Sequence, residues 1–229
     1  MREQREVIIM TLYEKIYKWL DDRFKLGELL PPIVKHPAPV NVVSNPLYCL
    51  GGTAFLCFLI LVVTGMFLAF YYKPTPDEAY KSVQNIMTAV PLGSLIRSIH
   101  HWAANTMIAA VMLHMIRIYF MGAYKKPREL NWVVGIFLLL TVTTFGFSGY
   151  LLPWDQLALW ATKIGTGIAG SIPIIGGYIS LILVGGNDIG AETMTRFFAI
   201  HVLILPAAII TLLGLHFLMV RIQGISGRL

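Results

Sequence analysis

Charge is scarce in this chain. Only 13% of its 229 residues are Asp, Glu, Lys or Arg, against about a quarter in soluble domains, and mean hydropathy is +0.69. A soluble globular protein of this size is excluded. Carboxylates are scarcer still where the chain is most apolar: none occurs in 49–72, 99–120, 132–152 or 197–220. Cysteine is nearly missing. Cys49 and Cys57 stand eight apart, about 12 Å along a helix and too far for a disulfide, and no zinc-ligand spacing is present. The charged opening residues are not expected to be a signal peptide.

What is there in abundance is hydrophobic sequence. The four carboxylate-free stretches are each long enough to cross a bilayer, and helices satisfy their own backbone in lipid. The expected fold is an all-α membrane protein, a four-helix up-down bundle. The first 45 residues are charged, with Ile16, Trp19, Leu20 and Phe24 at helical spacing. They read as an amphipathic helix on the membrane surface, the alternative being a solvated tail. Pro31, Pro32, Pro37 and Pro39 then lead to the first span. The chain thus divides into 1–45 and 46–229.

Basic residues set the orientation. Seven precede Asn41, Lys125, Lys126 and Arg128 crowd the loop between spans two and three, and Arg221 and Arg228 follow span four. The positive-inside bias puts both termini and that loop in the cytoplasm of a multi-pass cell-membrane protein. The basic excess is explained by topology and needs no nucleic acid.

Against this apolar background, histidines stand out. His100 and His114 on span two are fourteen apart, and His201 and His216 on span four fifteen apart. Fourteen steps fall about 40° short of four helical turns and fifteen overshoot by about 60°, so each pair shares roughly one face, about 21–22 Å apart along the axis. Spans two and four run in the same direction. His100 is therefore level with His201 near the outer surface, and His114 with His216 near the cytoplasm. Gly51 and Gly65 on span one, and Gly135 and Gly149 on span three, repeat the fourteen-residue interval. A flat macrocycle held between spans two and four would press its edges there, although small residues also serve ordinary membrane helix contacts.

Two donors per level suit the two axial positions of a haem. Zinc wants three or four ligands, and copper or di-iron sites want more donors than each level offers. With both axial positions filled, electron transfer is favoured over oxygen chemistry. Arg97 and Arg117 stand near the two edges, where they could pair with propionates or simply snorkel. His101, rotated about 100° from His100, cannot share its ligand direction, and His36 takes no role.

Between spans three and four, residues 152–195 hold two apolar pieces, 156–169 and 174–184, too short to cross. They read as an outer-side helical hairpin that walls a pocket open to lipid. Trp154 and Trp160 also suit interfacial anchoring. Asp155 is the one carboxylate near the end of span three.

The motifs HHW, LHMIRIYFMGAYKKPRELNW, GYLLPWD, TRFFAIH and HFLMVRIQGISG together resemble the cytochrome b6-type subunits of quinol–cytochrome c reductases, the Gram-positive bacterial members most of all, from about Ile16 onward. The resemblance implies the four-helix, di-haem half of a split cytochrome b: His100 and His201 on the outer b haem, His114 and His216 on the cytoplasmic one. It further implies a c-type haem on Cys49, with Arg221 near it and the cytoplasmic quinone site, although no CxxCH is present; Cys57 is an apolar filler. Phe147, Tyr150 and Trp154 are implied to line the quinol site. The implied partners are a three-helix, subunit IV-like second half carrying the key glutamate, a Rieske iron–sulfur protein and a cytochrome c-type subunit, in a dimeric complex using a quinone, menaquinone by the Gram-positive likeness. This chain alone then lacks a complete quinol-oxidising site. His101, Ile222, Arg228 and the proline-rich tail depart from the family pattern.

Two rivals stand beside this reading. A di-haem anchor of a quinone-linked dehydrogenase or hydrogenase would lack a Rieske partner. A transporter whose histidines relay protons would be colourless.

Overall fold

The computed structural model describes residues 15–18, 21 and 46–224. The chain divides into two compact units, Met1–Val40 and Asn41–Leu229. In the first, residues 15–18 and 21 are helical and Ile16 is exposed. Trp19, Leu20, Phe24, His36 and the prolines from Pro31 to Pro39 lie outside the described residues, as does Arg228.

In the second unit a short 3₁₀ turn, Pro46–Cys49, opens into α1, Leu50–Tyr71. Then come α2, Ala79–Thr88, α3, Gly93–Phe120, and α4, Glu129–Leu151. The hairpin helices are α5, Gln156–Gly170, and α6, Gly176–Val184. The last element is α7, Ala191–Gln223. There is no strand among the described residues. Helices α1, α3, α4 and α7 are long and apolar enough to span a membrane. Helices α3 and α7 start at 93 and 191 rather than 99 and 197 because their first turns, with Arg97, Glu192 and Arg196, are helical but too polar for a hydropathy window.

Helix α2 is an element that hydropathy does not find. It is short and polar, and buries Ala79, Ser82 and Ile86 on one stripe. It packs on α3, where Gly93 comes so close to the Ile86 carbonyl that a Cβ would collide with it. Its exposed ion pairs, Glu78 with Lys73 at 3.3 Å and with Lys81 at 3.8 Å, contribute little.

The hairpin is fixed at both ends by capping. Pro153 and Trp154, the latter at φ 53°, break the chain out of α4. Asp155 then caps α5, its Oδ1 accepting from the Ala158 N–H at 2.8 Å. At the far end, Gly185 leaves α6 at φ 83°, and the first turn of α7 takes up the carbonyls that α6 leaves over. Thr193 Oγ1 donates to Val184 O at 2.6 Å, and Arg196 donates to Leu181 O and Ile182 O. On the same side of the bundle, Tyr72 donates to Leu152 O at 2.6 Å, tying the end of α1 to the end of α4. Burial pushes the Tyr72 phenol up, which keeps it a donor.

Helix α1 packs most closely on α3, and α4 on α7. Cys57, Phe58, Met107, Leu138, Val142 and Ile209 form a buried cluster contributed by all four long helices. Burying side chains of this kind stabilises by roughly 1.5–3 kcal/mol each. Cys57 belongs to this core, as an apolar filler should.

One irregularity interrupts α7. The turn Ile200–Ile204 is a π-helix, with the Leu205 N–H bonded five residues back to Ile200 O. Pro206 accounts for it. Proline has no N–H for the Val202 carbonyl and its ring crowds that carbonyl in an α-ladder, and a widened turn relieves both.

Candidate functional site

The glycines establish how the helices are arranged around the histidines. A Cβ on Gly65, late in α1, would sit 3.3 Å from His100 Cε1, early in α3; one on Gly51, early in α1, would sit 3.3 Å from His114 Cε1, late in α3. Likewise a Cβ on Gly149, late in α4, would lie 2.7 Å from His201 Cε1 in α7. These neighbours run antiparallel, as do α3 and α4, where Gly135 early in α4 faces Met115 late in α3, and α3 and α7 therefore run the same way. His114 and His216 line one cavity, and Tyr72 at the end of α1 meets Leu152 at the end of α4, which sets His100, beside Gly65, level with His201, beside Gly149. The four imidazoles thus form two pairs at two levels: His100 with His201 at the end that bears the hairpin, and His114 with His216 at the end that bears the loop around Gly122 and Lys125.

The fifteen-residue interval in α7 is reconciled by the π-turn. It inserts about one extra residue between His201 and His216, so the angular separation returns to that of about fourteen α-helical steps, matching α3. The glycines differ in detail from the sequence expectation. Gly51, Gly65 and Gly149 face the imidazoles themselves, making room for the rings, while Gly135 faces the sulfur of Met115, 3.4 Å from where its Cβ would be.

A cavity of about 290 Å³ opens between the helices at the loop-end level. His114 and His216 line it, with Gly51, Phe55 and Gly135 on its flanks and Arg117, Arg128 and Asn131 toward the loop. The Nδ1 atoms of His114 and His216 are buried without a hydrogen-bond partner among the described residues, as is Asn131 Oδ1. At the hairpin-end level, His100 Nδ1 is 2.8 Å from Thr64 Oγ1 and His201 Nδ1 is 2.9 Å from Ser148 Oγ. Among the described residues no group of three or more His, Cys, Asp or Glu gathers to hold a metal ion. Two imidazoles per level, glycine clearance and an apolar cavity with guanidinium at one end fit a haem with two axial nitrogen ligands.

Other expected residues fall as follows. His101 turns away from the pairs, is exposed, and meets Asn105 on its own helix at 3.3 Å. Arg97 reaches Met87 Sδ at 3.6 Å and Arg117 reaches Met121 Sδ at 3.0 Å. Cys49 is exposed at the start of α1, with its carbonyl accepting from Thr53 Oγ1 at 3.0 Å. Phe147 packs edge-on against Phe197, ring centroids 6.2 Å apart, and rests on Gly165 of the hairpin; Tyr150 is exposed. Asp155 is taken up as the cap of α5. Sequence reasoning missed Thr64 and Ser148, although each stands directly before one of the glycines it singled out. It counted Arg128 toward orientation alone, whereas Arg128 lines the cavity and donates to the Gln223 and Gly224 carbonyls, each at 3.3 Å, where a cation suits a helix C-terminus.

Comparison with known proteins agrees with this geometry. A family model described as cytochrome b/b6/petB matches residues 33–224. Cytochrome b6 of Heliomicrobium gestii is 49% identical over 210 residues, covering 91% of this chain and 98% of that protein. Cytochrome b6 of Synechocystis sp. is 48% identical over 215 residues, 94% of this chain and 96% of its own length. A solved structure of a hyperthermophilic respiratory complex III superposes with a TM-score of 0.84 at 36% identity; 91% of this chain covers 55% of the chain it matches. With four membrane-spanning helices that set two imidazole pairs at two depths, this chain belongs to the cytochrome b/b6 family and is a transmembrane, b-haem-carrying electron-transfer subunit of a quinol oxidoreductase complex.

Proposed function

We propose that His100 and His201 hold one b haem and His114 and His216 the other, and that electrons cross the subunit from an outer quinol-oxidising site to a cytoplasmic quinone-reducing site, coupled to proton translocation. The observation that carries this is the pairing itself: four buried imidazoles at two levels, each level flanked by glycines. When bound, each haem would supply a one-electron couple. The chain's part is to hold the ligand nitrogens, to keep the site apolar, and to set guanidinium beside it. Arg117 at the loop end and Arg97 at the hairpin end are placed to meet propionates.

The hairpin end is the outer side and the loop end the cytoplasmic side, an assignment supported by Lys125, Lys126 and Arg128 in the loop. Both termini are then cytoplasmic, with 1–45 a surface segment, 46–229 the membrane domain and 152–195 its outer hairpin, in the cell membrane. Phe147, Tyr150 and Trp154 are the residues of this chain that would line the quinol pocket. The cap role of Asp155 leaves the local proton acceptor to another subunit, so quinol oxidation needs the three-helix second half of cytochrome b. A Rieske protein and a cytochrome c-type subunit complete a dimeric assembly, with menaquinone the suggested substrate. Exposed Cys49, at the cytoplasmic start of α1, is the attachment point for a covalent c-type haem near Arg221. A Cys49→Ala variant should lose haem stain on a denaturing gel while keeping the b-haem absorbance.

Histidine replacement tests the ligand assignment. His114→Ala and His216→Ala should each remove the same spectroscopic haem, and His100→Ala and His201→Ala the other. Retention of both haems after any one change would reject the pairing.

A further inference from the structure

The two imidazole levels differ in one respect. Thr64 Oγ1 donates its only proton to Ile60 O at 2.7 Å, and Ser148 Oγ donates to Phe145 O at 3.2 Å. A hydroxyl so committed can only accept from the imidazole beside it. His100 and His201 must therefore carry their protons on Nδ1, which leaves the Nε2 lone pairs available. Thr64 and Ser148 are both buried, so water does not compete for these bonds. At the loop end, His114 Nδ1 and His216 Nδ1 are buried with no such partner among the described residues. The difference is written in the sequence: the hairpin-end glycines stand in Thr64-Gly65 and Ser148-Gly149, the loop-end ones in Leu50-Gly51 and Val134-Gly135. Glycine lets the ring approach, and the preceding hydroxyl, where there is one, holds it.

We propose that Thr64 and Ser148 are positioning residues that fix the tautomer and ring orientation of His100 and His201 and thereby lower the reduction potential of the hairpin-end haem. This rests on the bis-histidine reading above. Donation from Nδ1–H to an acceptor makes an imidazole a stronger electron donor through Nε2, which favours the oxidised iron. Two such bonds act on the hairpin-end pair.

The test is a redox titration of the haem absorbance in the purified whole complex, alongside low-spin ferric EPR, for the natural protein and for Thr64→Val/Ser148→Ala. His114→Ala identifies the hairpin-end component as the one that remains. The double change should leave two b haems bound, shift the hairpin-end midpoint upward, move its EPR signal, and leave the loop-end component where it was. Thr64→Ser, which keeps the hydroxyl, should titrate like the natural protein. If the double variant sheds the hairpin-end haem, Ser148→Ala alone is titrated and should give a smaller shift in the same direction. Unmoved midpoints, or a shift confined to the His114/His216 component, would overturn the proposal. Absence of two b haems from the natural complex would instead overturn the functional reading beneath it.

Discussion

Gly149 shows how tightly single positions are specified. A methyl there would press on His201 Cε1 at 2.7 Å, whereas one on Gly167 would meet nothing within 4 Å. Gly149→Ala should therefore lower hairpin-end haem occupancy by about tenfold or more, the scale of lost ligand support, while Gly167→Ala leaves it unchanged; the pyridine haemochrome content of the purified complex reads both. Gly51→Ala, at 3.3 Å from His114, should be milder, because a shift of a few tenths of an ångström accommodates it. At this scale the histidines were legible, since imidazole is out of place in an apolar helix unless something holds it. Thr64 and Ser148 were not, because a hydroxyl in a membrane helix ordinarily bonds its own preceding carbonyl, as Thr141 and Thr211 do here, and only the packed partner shows that it does more.

At the scale of elements, the spans were legible from length and apolarity alone, as were the two hairpin helices. Helix α2 and the π-turn were not. The first is too short and polar for a hydropathy signal, and the second has no composition cue beyond Pro206, which ordinarily marks a kink. Yet the π-turn is what brings a fifteen-residue spacing into line with a fourteen-residue one. Pro206→Ala, which restores an N–H for Val202 O, should let the turn relax toward α geometry, rotate His201 away from His100, and reduce the hairpin-end haem signal relative to the loop-end one. The hairpin depends on its caps. Asp155→Ala should cost about 1 kcal/mol and make the chain between α4 and α5 more susceptible to protease, whereas Asp155→Asn, which keeps an acceptor oxygen, should be close to neutral.

Across the whole molecule, the arrangement solves a problem of distance and field. The two imidazole levels are about 21 Å apart along the helices, with the buried cluster around Phe58, Met107 and Leu138 contributed by the same four helices. Moving a charge across the full membrane potential costs about 2.3 kcal/mol per 100 mV. Electrons moving inward against such a potential need a downhill sequence of couples, and the hydroxyls of Thr64 and Ser148 beside His100 and His201 act on the first of them. The number of spans was legible in the sequence from length and apolarity; side-chain pairing across the bundle was legible only as an interval. The most direct test is the reduced-minus-oxidised visible spectrum of the purified complex, with haem quantified per copy of this chain. Two non-covalent b haems per chain, titrating as two separate one-electron components, is the result predicted; a complex that contains this chain and shows no b-type absorbance would contradict the account.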